Sequence, residues 1–369
     1  MNNEQHKGEH LKEVAGYFLK LGLIGFGGPA VHIAMMEKEL VEKRKWLSAE
    51  HYLDLIGATN LIPGPNSTEM TMHCGHVRAG WKGLIVAGSC FIIPAVIITS
   101  VLAWAYATYG QLPAVEPFLY GIQPVVIAII LSAVINLAKK AVKSVMLGIA
   151  GIIALVLCLS GVNEIAVLFG MGFAGVFYHL LKNRERGVHS LLVAVPVSNA
   201  KLFWIFLKVG SILYGSGYVL FAFLDSELVS TGILSRSQLI DAIAVGQITP
   251  GPVFSAATFV GWQINGWQGA LVATAGIFLP SFVFVALLNP LIPKLRKSAV
   301  MSAFLDTVNV AAVALILVVC FDMGKTAITD WRTILITVSG FITVFFFRNV
   351  NAAFVIMGGA LLGYLLSLI

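Results

Sequence analysis

Pro63-Gly64-Pro65-Asn66-Ser67-Thr68-Glu69 and Pro250-Gly251-Pro252-Val253-Phe254-Ser255-Ala256 stand 187 residues apart in apolar sequence, and that recurrence decides the fold. Upstream, Leu47-Ser48 returns as Leu234-Ser235, and Asp54 as Asp241, at the same offset. Farther upstream the offset is 188: Phe18-Leu19-Lys20-Leu21-Gly22 returns as Phe206-Leu207-Lys208-Val209-Gly210, and Gly25-Phe26-Gly27-Gly28-Pro29 is answered by Leu213-Tyr214-Gly215-Ser216-Gly217. Downstream it is 186: Gly80-Trp81-Lys82-Gly83 is answered by Gly266-Trp267-Gln268-Gly269, and Pro94 by Pro280. One unit recurring in order with two single-residue gaps is an internal duplication. The first copy is residues 1–187 and the second 188–369.

The surrounding composition excludes a water-facing surface. Apolar residues make up 58% of the chain and charged residues 11%, with a mean hydropathy of +0.89; soluble domains carry about 25% charged residues. The expected fold is an all-α polytopic membrane protein with the lipid bilayer as solvent. The formal charge of +6 does not point to nucleic acid, because the 24 Lys and Arg fall in short clusters between apolar stretches. Cys74, Cys90, Cys158 and Cys320 show no CxxC spacing, so neither a disulfide framework nor a zinc knuckle is expected. The N-terminal stretch mixes Glu4, Glu9 and Glu13 with Lys7 and Lys12, unlike a cleaved signal peptide.

Each copy presents a broken apolar segment (14–36; 202–224) and a second segment interrupted by Pro-Gly-Pro (51–78; 238–265). Four clean spans follow, near 81–108, 117–138, 144–160 and 164–181, with partners near 267–290, 300–322, 332–347 and 350–369. A crossing helix needs about 20 residues. The arms around each Pro-Gly-Pro are half that length and read as re-entrant hairpins, which leaves about ten spanning helices, five per copy. An odd number per copy inverts the second copy relative to the first. Basic clusters at 38–45, 78–82, 139–143, 182–186 and 294–297 then share one face. That face is cytoplasmic by the positive-inside rule, and both termini lie outside.

Irregular backbone at membrane depth is costly unless it is buried in protein or lines a cavity. Four such breaks occur, at Gly25–Pro29 (with Gly27, Gly28 and Pro29), Pro63–Pro65, Gly215–Gly217 (with Ser216) and Pro250–Pro252. The half-helix after each break turns free N–H groups and a partial positive charge toward it, which makes it anion-receptive. Pro65 with Asn66, Ser67 and Thr68 reads as a helix start, and Ser255 occupies the corresponding turn of the second copy. The plainer reading of these Gly and Pro residues is close packing.

Lys20 and Lys208 sit at equivalent places inside apolar segments, as substrate or counter-ion contacts or as snorkelling side chains. After Pro65, Glu69, His73 and His76 follow at i, i+4 and i+7, one helical face, with Arg78 beyond. Such a face suits a proton relay, anion ligands, a metal site or a hydrogen-bonded interface without a transport role. Asp54 and Asp241 either bind a coupling proton or pair with a basic side chain.

With these residues placed, the chain resembles the chromate ion transporter (CHR) family, long-chain two-domain type. The resemblance is carried by Phe26-Gly27-Gly28-Pro29 with His32, Trp46-Leu47-Ser48, Pro63-Gly64-Pro65-Asn66 and Gly80-Trp81. In the second copy it is carried by Gln247-Ile248-Thr249-Pro250-Gly251-Pro252-Val253-Phe254, Ala257-Thr258-Phe259 and Phe278-Leu279-Pro280-Ser281-Phe282. It implies a multi-pass inner-membrane transporter that expels chromate, a tetrahedral dianion similar to sulfate, and confers chromate resistance. In the commoner pattern the first arm after Pro-Gly-Pro is more apolar than here.

The expected function is secondary transport of chromate or a similar oxyanion such as sulfate, by alternating access, with no enzymatic step, cofactor or resident metal. No Walker A sequence is present, so ion gradients or the membrane potential supply the energy. The alternatives are a passive anion channel and a membrane metalloenzyme built on Glu69, His73 and His76. A homodimer is left open.

Overall fold

The computed structural model describes residues 2–59, 62–110, 112, 114–181, 198–214, 217–288, 299–347 and 350–368, and all regular elements among them are helical. The first copy holds α1 (Asn2–Ile24), α2 (Gly28–Met36) running into a π-helical turn (Glu37–Lys43), α3 (Ala49–Thr59), α4 (Asn66–Tyr109), α5 (Glu116–Ala141), α6 (Val145–Leu159) and α7 (Glu164–Leu181). The second holds α8 (Asn199–Ile212), α9 (Val219–Leu224) with its own π-helical turn (Asp225–Val229), α10 (Arg236–Ile248), a 3-10 turn (Val253–Ser255) leading into α11 (Ala256–Leu288), then α12 (Ala299–Ala327), α13 (Trp331–Phe346) and α14 (Ala352–Ser367). Gly215 and Ser216, the junction between the copies, and the basic clusters at 182–186 and 294–297 lie outside the described residues.

The chain is a multi-pass membrane protein. Four stretches, Asn66–Tyr109, Glu116–Ala141, Val253–Leu287 and Ser302–Ala327, are long and apolar enough to cross a bilayer. The outward faces of α4 and α11 correspond residue for residue: Ile85, Ile93, Ile97 and Val101 are exposed on one, and Leu271, Leu279, Val283 and Leu287 on the other. Apolar stripes of this kind are what lipid covers, since a water-facing helix would carry polar groups there.

Both long helices are folded back on themselves. Helical geometry fails at Ala79 and Gly80 (φ 62°, ψ −151°) in α4 and at Asn265 and Gly266 (φ 58°, ψ −149°) in α11. Beyond each failure the second arm runs against the first, so closely that an added Cβ at Gly75 would strike Ala87 and the Gly83 carbonyl, and one at Gly261 would strike Ala273 and the Gly269 carbonyl. A straight helix would hold residues 75 and 87 about 18 Å apart. The spans starting near Trp81 and Trp267 are therefore second arms, each joined to its Pro-Gly-Pro half-helix by one glycine turn.

The copies interlock rather than sit side by side. Around the centre, α1 packs on α4 and α8 on α11, and α4 and α11 pack on each other. Glycine permits the closest approach in both pairs: a Cβ at Gly22 would meet the Phe91 carbonyl oxygen at 2.7 Å, and one at Gly210 the Ile277 carbonyl oxygen at 2.5 Å. At the periphery α5 takes α13 and α14 of the second copy as neighbours, while α12 takes α6 and α7 of the first.

Candidate functional site

The breaks are tied to one another across the two copies. Gly64 N–H donates to the Leu213 carbonyl at 2.8 Å, and Gly251 N–H donates to the Gly25 carbonyl at 2.9 Å. Gly25 and Leu213 are repeat equivalents, as are Gly64 and Gly251, so the two bonds are one bond made twice. Each Pro-Gly-Pro is thus anchored to the break after the first helix of the opposite copy. His32 strengthens one anchor: its Nε2 donates to the same Gly25 carbonyl at 2.8 Å, and its ring stands edge-on to Phe91 at 5.2 Å.

Most helix starts away from the breaks carry a side-chain cap, α5 with Val115 in the cap position being an exception. Ser144, Ser198, Ser235, Asp330 and Asn351 cap α6, α8, α10, α13 and α14 with their side chains. At the breaks the residues in the cap position are Gly27, Pro65, Tyr218 and Pro252, and no side chain caps the helix there. Positive ends left without a side-chain oxygen suit an external anion.

Beside the two Pro-Gly-Pro breaks the interior holds hydroxyls without partners. Thr68 and Ser255, equivalent residues in the first turn after each break, are fully buried, and neither Oγ1 of Thr68 nor Oγ of Ser255 has a hydrogen-bond partner. Glu69 is fully buried with its Oε1 at 3.4 Å from Ser281 Oγ, while its Oε2 has no partner. A Cβ at Gly64 would collide with Glu69 Oε1 and Ser281 Oγ, so the carboxyl folds back from the helix into the break. Buried polar atoms without partners cost about 1–3 kcal/mol each, so water or a ligand completes their bonding.

A cavity of about 640 Å³ opens between three of the breaks. Its wall includes Phe26 to Val31, Gly217, Tyr218, Gln247 and Val253, faced by Ser132 and Asn136 of α5 and by Asn351 and Ala352 at the start of α14. Gln247 is buried there, its side chain beside the Tyr218 hydroxyl. Pro63, Gly64 and Pro65 do not line this space.

The remaining residues singled out from sequence lie farther from the breaks or are engaged elsewhere. Lys20 is exposed, whereas Lys208 pairs with Glu227 at 2.7 Å. Arg78 pairs with Glu13 at 2.6 Å and lies over Trp46. His73 is fully buried; His76 is half-buried with its ring edge-on to Trp81. Among the described residues no three His, Cys, Asp or Glu side chains gather to hold a metal ion, so Glu69, His73 and His76 do not form a metal centre. Asp54 is half-buried, and Asp241 is buried in a network in which Oδ2 accepts from Tyr106 at 2.6 Å and Oδ1 from Gln123 at 3.0 Å.

Sequence reasoning did not select His32, Ser281, Gln247, Tyr106 or Gln123 as site residues. Three had a signal, since His32, Gln247 and Ser281 lie inside the motifs that carry the family resemblance. Tyr106 and Gln123 had none, because their role depends on the packing of α4 and α5 against α10.

A family model described as chromate transporter matches the chain twice, over residues 12–176 and 200–364. A probable chromate transport protein of Synechococcus elongatus is 30% identical, with 90% of this chain and 89% of the relative covered. A chromate transport protein of Cupriavidus metallidurans is 30% identical over 96% of this chain and 92% of its own. One from Pseudomonas aeruginosa is 28% identical over 94% and 90%. No solved structure matches the chain.

Proposed function

Because this chain belongs to the chromate transporter family, we propose that it is a secondary transporter, not an enzyme, that exports chromate or a similar tetrahedral oxyanion such as sulfate across the cytoplasmic membrane. The observation that carries the site is the pairing of uncapped half-helix starts with the partnerless hydroxyls of Thr68 and Ser255. The oxyanion is held by backbone N–H groups at Asn66, Ser67 and their counterparts after Pro252, by those two hydroxyls, and by the glycine-lined starts at Gly27–Pro29 and Gly215–Gly217. Lys20 and Lys208 add positive potential at the flanks, and Arg78, His73 and His76 lead from the site to the membrane edge.

Alternating access in this reading is motion of one interlocked group of helices against the other around the joined breaks. The first copy's hairpin enters and leaves on one face: Arg78, at the end of its outgoing arm, stands over Trp46, just before its incoming arm, at 5.3 Å. The second hairpin starts on the opposite face. Asp241 and Ser237, near the start of α10, are held by Tyr106 at the far end of α4 and by Gln123. These contacts favour inverted copies. The pairing of Arg78 with Glu13 and the stacking of Arg44 over Tyr17 put the N-terminal end of α1 on the same face as the basic clusters at 38–45 and 78–82. This corrects the expectation that the N-terminus lies outside, since the positive-inside rule makes that face cytoplasmic.

Uptake of labelled chromate and sulfate into everted vesicles, with and without a proton gradient, tests the function. Saturable uptake that responds to the gradient is expected. Uptake linear in concentration indicates a passive channel, and uptake equal to vesicles lacking the protein removes the proposal.

A further inference from the structure

Glu69 presents a difficulty for any site that holds a dianion. Its carboxyl is fully buried, lies in the first turn of the half-helix after Pro65, and folds back into the break that this half-helix faces. Among the described residues no Lys or Arg forms an ion pair with it. The groups facing it are neutral or neutral-capable: Ser281 on α11, Tyr214 in the break after α8, and His73 one turn along its own helix. Ionised, Glu69 itself occupies the positive end of the helix. A carboxylate and a dianion within a few ångströms in a poorly screened interior repel by several kcal/mol, so the two compete for one place.

We propose that Glu69 is the proton-binding site that couples transport: the oxyanion enters only when Glu69 carries a proton, and the two cross together as one net negative charge, which the membrane potential, negative inside, drives outward against the proton's own gradient. The inference rests on the oxyanion reading above and adds the identity of the coupling ion. The proton comes from water on the side of entry, forms the O–H bond on Oε2, the oxygen without a partner, and returns to water on the far side as the oxyanion leaves. No other bond changes. When the site is empty, ionised Glu69 takes the helix end in place of the substrate. By reciprocity, bound oxyanion raises the affinity of Glu69 for its proton. The second copy carries Ala256 at the equivalent position, so one coupling proton per cycle is the expected stoichiometry.

The test uses the full chain in proteoliposomes with voltage clamped at zero, labelled chromate as probe, and alkaline buffers on both sides so that chromate itself carries no proton. An inwardly directed proton gradient should drive the parent to accumulate chromate above the outside concentration, with acidification inside reported by a trapped pH dye. Glu69→Gln, neutral at every pH, should equilibrate chromate to a ratio of about one without dye response. The proposal is overturned if the parent equilibrates chromate but neither accumulates it nor moves protons, and equally if Glu69→Gln accumulates it as the parent does. If Glu69→Gln fails to purify as a single species, the parent's dye response decides alone. A parent that moves no oxyanion at all removes the underlying functional reading, and the coupling with it.

Discussion

Thr68 and Ser255 occupy the same place in the two copies, yet the local sequences share only a hydroxyl, Asn66-Ser67-Thr68-Glu69 against Val253-Phe254-Ser255-Ala256. Both hydroxyls are buried without partners, which fits groups that await a ligand's oxygens. Thr68→Val and Ser255→Ala should each weaken chromate binding by about 10- to 100-fold, the value of one hydrogen bond to a charged group. Their thermal stability should not fall, because no protein hydrogen bond is lost; calorimetric titration and a thermal melt check both. Equivalent residues do not always share an environment. Lys20 and Lys208 look identical in sequence, but only Lys208 has a carboxylate partner, Glu227. In the first copy the matching Glu39 is taken by Arg44 at 2.9 Å and Lys43 at 3.1 Å, which hold its carboxyl below the usual carboxylate range. The second copy has uncharged Ser230, Thr231 and Gly232 there, so Glu227 recruits the lysine. That choice follows from a neighbour 20-odd residues away, which is why residue-level matching could place the lysines and not their contacts.

At the scale of elements, the glycine and proline breaks and the apolar helices were legible because glycine, proline and runs of apolar residues act through local backbone physics, although among the described residues only four stretches are long and apolar enough to cross a bilayer and Val145–Leu159, Trp331–Phe346 and Ala352–Ser367 are shorter. The reversal inside α4 and α11 was not legible, since Gly80-Trp81 and Gly266-Trp267 read equally well as the loop before an independent span. The decisive quantity is the backbone conformation at Gly80 and Gly266, with φ near 60° and ψ near −150°, a region open almost only to glycine. A Cβ at either position meets nothing within 4 Å, so substitution tests the backbone alone. Gly80→Ala and Gly266→Ala should each cost about 1–3 kcal/mol of stability, seen as a lowered melting temperature of the purified protein. Equal melting of both variants and parent would contradict the glycine-turn account.

For the whole molecule, duplication was readable from sequence, but the exchange of neighbours was not: α5 with α13 and α14, and α12 with α6 and α7, are long-range pairings that no local pattern encodes. Inversion makes one further demand. Ser48 and Ser235 are equivalent and exposed at the starts of α3 and α10, and they should face opposite sides of the membrane. Single cysteines at these positions, in a background without Cys74, Cys90, Cys158 and Cys320, should react with an impermeant reagent from opposite sides; labelling from one side sinks the inverted arrangement. The central claim is that the joined breaks are the path of the oxyanion, and Gly251 tests it most directly. Its Cβ position lies 3.0 Å from Ala95 Cβ and 3.3 Å from the Gly22 carbonyl oxygen, so a leucine there fills the junction. Labelled chromate flux should be measured in proteoliposomes holding the parent or Gly251→Leu, the variant being shown folded by thermal melt. The account predicts saturable flux in the parent and none in the folded variant; flux at the parental rate through Gly251→Leu would contradict it.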